Sequence, residues 1–214
     1  MYNTLFLLLS LMGGPGGHDV HGGPGRHAGP RTYQLFYIDN SHTRGYQNFS
    51  SNMLDVLSGK IDSVHGNQVD DIAVFSSNGN QPEFFANYKG AKSVVDKLSN
   101  GYTAEPYSPY DKSTLIAQVA NTDLSDVKAL NIYFFVTESY LTSDLLKTNS
   151  GLLFNVLPEE LRFLLGCDQG KVNVFIYYPA AATSVKDSGI LTFCRLKNDM
   201  NADGTGIKYH VQGI

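Results

Sequence analysis

The chain has 214 residues, 42% hydrophobic and 17% charged, with 16 Lys and Arg against 20 Asp and Glu for a formal charge of −4. That length fills one core around a buried sheet but not two, and with no run of like charge and no basic stripe it offers a phosphate backbone nothing, so nucleic acid is excluded as an expected partner. The 13 Tyr, 12 Phe and 21 Gly with no Trp describe a β-containing globular protein rather than a helical bundle or a disordered chain.

At the N-terminus, residues 5–12 form an apolar run too short to span a bilayer but suited to the core of a secretory signal, followed by Gly13 and Gly14. No Lys or Arg precedes it, so the terminal amine alone supplies positive charge there. Residues 1–14 are therefore read as a signal peptide, which implies a secreted, periplasmic or extracellular protein, and no transmembrane segment is expected. Residues 15–30 continue a Gly- and Pro-rich stretch carrying His18, His21 and His27, a linker composition that buries too little apolar surface to order itself. Three imidazoles on such a chain bind Cu(II), Ni(II) or Zn(II) weakly and without selectivity.

From residue 31 to 214 the pattern is that of one α/β domain. Residues 33–38 are a near-continuous apolar and aromatic run, a buried strand ending at Asp39. Phe49, Met53, Leu57, Ile61 and Val64 then recur at helical spacing, predicting an amphipathic helix of about sixteen residues. Residues 71–75 and 83–88 read as a strand pair joined by a turn at 77–80, residues 91–98 as a short helix, and residues 114–119 as another helix. The strongest strand is 130–136, rich enough in β-branched and aromatic residues to sit at a sheet centre. Pro158 opens a helix over 159–165, and 172–178 is a further strand. Residues 190–196 and 206–211 read as a terminal hairpin around 201–204. The expected fold is α/β: a mostly parallel, Rossmann-like central sheet flanked by helices on both faces, with a C-terminal β-hairpin.

In such a sheet, ligands sit beyond the carboxyl ends of the central strands. Two loops there are polar in a specific way. The first carries Asp39, Ser41 and Thr43, a carboxylate and two hydroxyls at alternate positions, able to turn three oxygens towards one point. The second is Thr137-Glu138-Ser139 after the strongest strand. Ser113 and Thr114 stand just before a helix, where a hydroxyl either caps the helix or reaches into the crevice. Oxygen donors from three loops suit a hard cation, Mg2+ first and Mn2+ or Ca2+ after it, with a position left for water or an incoming carboxylate.

The run Tyr37-Ile38-Asp39-Asn40-Ser41-His42-Thr43, with the order of elements over about residues 33–180, resembles the von Willebrand factor type A domain. That family's metal-ion-dependent adhesion site begins Asp-x-Ser-x-Ser after the first strand. The resemblance implies metal ligands at Asp39, Ser41 and Thr43, a threonine role for Ser113 or Thr114, and a later acidic ligand at Glu138. Thr43 keeps the hydroxyl of the usual Ser, whereas Glu138 replaces the family's Asp and Ser139 its Gly, so the site is partly degenerate. The function implied is an exported protein-binding module for adhesion or assembly, its protein ligand offering a carboxylate to the metal. The alternative is the same scaffold without metal.

An enzyme reading rests on Asp39, Thr43 and Thr137, which also resemble the first two motifs of haloacid-dehalogenase-type phosphatases with Asp39 as nucleophile. The second acid expected two residues on is Ser41 here, and the later acidic pair is absent from Tyr178-Pro179-Ala180-Ala181-Ala182. No Gly-x-Ser-x-Gly elbow and no strand-to-helix phosphate loop occurs, so no catalytic residue is assigned. As plain structure, Asp39 and Ser41 are turn formers, Ser113 and Thr114 helix caps, and Glu138 a first-turn acid. His42 and His65 read as solvated side chains. The stretch from Asp199 to Gly204 resembles the start of a calcium loop whose twelfth position is His210 rather than Glu, which leaves a hairpin turn. Asn48-Phe49-Ser50 is an N-glycosylation pattern. Cys167 and Cys194 are either buried thiols or one disulfide.

Overall fold

The computed structural model describes residues 30–39, 50–67, 72–77, 83–100, 112–122, 124, 126–136, 157–180, 199 and 204–214. The signal and linker readings, and the hairpin arm at 190–196, lie outside them. Six strands form one sheet in the order β3-β2-β1-β4-β5-β6: β1 (Arg31–Asp39), β2 (Ile72–Ser77), β3 (Glu83–Phe85), β4 (Val127–Phe135), β5 (Val172–Tyr178) and β6 (Lys208–Gly213). All neighbouring pairs are parallel except β2 with β3. The α/β class, the mostly parallel sheet and the antiparallel β2–β3 pair are as the sequence predicts. The last strand is present as β6, where it runs parallel to β5.

Helices α1 (Ser51–Asn67) and α2 (Tyr88–Ser99) cover one face of the sheet, and α3 (Lys112–Ala120) and α4, residues 157–165, cover the other. The division follows side-chain alternation along the strands. Phe36 and Ile38 of β1 with Tyr133 and Phe135 of β4 face Met53, Leu57, Ile61 and Val64 of α1. Leu35 and Tyr37 with Ile132 and Phe134 face Leu115 and Val119 of α3 and Leu157, Leu161 and Leu165 of α4. Central strands buried on both sides must be apolar at nearly every position, which is why 33–38 and 130–136 read as near-continuous apolar runs, interrupted only by Gln34 and Asn131.

Local chemistry sets the ends. Ser50 caps α1, its Oγ accepting from the Met53 N–H at 3.2 Å. β3 is shorter than the predicted 83–88, because Asn87 turns the chain into α2 by accepting the Gly90 N–H at 2.7 Å on its side chain. α4 ends on Gly166 at φ +65°, with Cys167 N–H bonded to the Arg162 carbonyl and Gly166 N–H to that of Phe163. That is the Schellman arrangement, which a residue without a Cβ adopts at least cost.

Candidate functional site

The strand order reverses direction between β1 and β4. From β1 the chain moves through α1 to β2 on one side, and it later returns through α3 to β4 on the other. The two strands at this switch point are parallel neighbours, with Ile38 level with Phe135. Asp39, the last residue of β1 and level with Ser77 of β2, therefore sits at the same sheet edge as Val136, from which the chain continues to Thr137 and Glu138. Val136 is itself pinned, its N–H bonding the Tyr177 carbonyl at 3.1 Å.

The direction of α3 brings a third segment to that edge. Its carboxyl end lies by the start of β1, where the Tyr33 hydroxyl is 3.3 Å from Thr122 Oγ1 and the Thr122 hydroxyl donates to the Val119 carbonyl. Its amino end, packed through Leu115 against the same core as Tyr37, thus points to the carboxyl ends of the strands. Ser113 and Thr114 are in the first turn of this helix rather than ahead of it. The backbone thus gathers Asp39, the Ser113–Thr114 turn and the exit of β4 at one sheet edge, whereas Ser41, Thr43 and Glu138 lie outside the described residues.

Two polar clusters away from this edge escape a reading by motif. Gln34, 7% exposed, accepts at Oε1 from Asn131 Nδ2 and from the Tyr133 hydroxyl, both at 3.1 Å, and Asn173 Nδ2 donates to Asn131 Oδ1 at 2.9 Å. Burial first, with the Tyr177 phenol adding to it, pushes the Tyr133 hydroxyl up to about 12. The signal was in the sequence, as a polar residue two before a ring in each central strand: Gln34 and Phe36, Asn131 and Tyr133, Asn173 and Phe175.

The second cluster lies between α1 and α2. Tyr88 donates to Asp62 Oδ1 at 2.8 Å, and Lys92 Nζ donates to Ser58 Oγ at 2.8 Å and to Asp62. The Tyr88 hydrogen bond, with Lys92 assisting against a burial cost, holds the Asp62 carboxyl below its ordinary range. His65 is not the solvated residue its surroundings in sequence suggest. Its ring lies on Tyr88 at 3.7 Å and 11°, with Nδ1 buried and without a hydrogen-bond partner, because the α1–α2 crossing brings together rings far apart in sequence. Cys167 is a buried free thiol, pushed up first by burial.

No protein-family model matches the chain, and no curated protein does. Among solved structures, the human COPII-coat protein Sec24c is similar at a TM-score of 0.40 and 12% identity, over 86% of this chain and 30% of that one. The chain thus corresponds to under a third of that protein's length.

Proposed function

We propose that the protein is an exported, von Willebrand type A-like binding module that holds a protein ligand at the crevice beyond β1 and β4. One observation carries this reading: the switch point of the sheet lies between the strand that ends in Asp39 and the strand that runs into Thr137-Glu138-Ser139. In open α/β sheets that is where ligands collect. Ser113 and Thr114 lie in the first turn of α3, and this reading takes that turn to bring a hydroxyl to the same edge. Export rests on the apolar run at 5–12, and among the described residues no helix is long and apolar enough to cross a membrane.

The donor set suits a hard divalent cation. A carboxylate at Asp39, hydroxyls at Ser41, Thr43 and Ser113 or Thr114, and a carboxylate at Glu138 are all oxygen ligands, the preference of Mg2+. Bound there, the cation would supply a positive centre for a partner's carboxylate. The chain's own part would be to supply Asp39 from the end of β1 and a hydroxyl from the first turn of α3. Glu138 is one methylene longer than Asp, which favours a looser cation such as Mn2+ or Ca2+ over Mg2+.

The test is calorimetric titration of the chain with Mg2+, Mn2+ and Ca2+, in parallel with Asp39→Ala. Saturable binding lost in the variant, with an unchanged melting temperature, is the expected result. Absence of binding by all three ions would overturn the metal and leave a metal-free scaffold.

A further inference from the structure

We draw no further inference here: the strongest candidate, the exposed apolar surface patch of Phe163 and Leu164 at the end of α4, carries nothing because nothing in the structure shows what covers it.

Discussion

Gln34 shows how one buried polar side chain can organise three strands. Its Oε1 accepts two hydrogen bonds, from Asn131 and from Tyr133. Removing it strands a buried phenol and an amide donor, and an unpaired buried donor costs about 1–3 kcal/mol. Gln34→Ala should therefore lower stability by about 2–4 kcal/mol once the lost packing is included, read as a fall in the urea midpoint at unchanged slope. Tyr133→Phe should cost less, about 1 kcal/mol, because Gln34 keeps its bond to Asn131. The phenol also sets an alkaline limit. Its folded value is raised to about 12 from the ordinary 10.0, so the folded state holds the proton more tightly than the unfolded chain does. The stability it contributes is whole below about pH 10 and is lost as pH rises through about 12. Tyr133→Phe should make that limb of the stability–pH profile shallower, and a variant profile that falls as steeply as the parent's over the same interval would refute the assignment.

The α1–α2 pair shows an element shaped by what its neighbours leave room for. Gly90 lies in the first turn of α2 directly over Phe85, and a Cβ there would run into the Phe85 side chain at its Cβ and ring root, which cannot swing away. By propensity alone, Gly90→Ala should stabilise the helix by about 1 kcal/mol. The contact reverses the sign, and overpacking of this kind costs about 1–3 kcal/mol. Thermal melts of Gly90→Ala, and of Gly90→Ala with Phe85→Ala, test this: the single change should lower the midpoint, and Gly90→Ala should cease to be harmful once Phe85 is shortened. Separately, the seam of Ser58, Asp62, Tyr88 and Lys92 ties α1 to α2.

Among the described residues, one sheet serves two apolar layers, and β1, β4 and β5 each contribute to both. The layers should therefore unfold together. Leu57→Ala in α1 and Leu161→Ala in α4 remove fully buried side chains from opposite faces, and each should cost about 2–5 kcal/mol. Both should shift a single calorimetric transition without splitting it, and two resolved transitions in either variant would show that the layers are independent.

Much of this was legible from periodicity. The runs at 33–38, 130–136 and 172–178 read as strands from their β-branched and aromatic content and short length, and Met53, Leu57, Ile61 and Val64 mark one helix face, because burial leaves a pattern in the chain itself. Asp39 and the 137–139 loop were legible as polar strand exits by the same logic. The sequence could not say that β1 and β4 are neighbours, which is what brings those exits to one edge, because adjacency between strands about a hundred residues apart is settled by which layers pack together. It also read His65 as solvated, placed Ser113 and Thr114 ahead of α3, and passed over the Gln34 network. Each depends on contacts between segments distant in the chain, where local spacing carries no information and only tertiary packing decides.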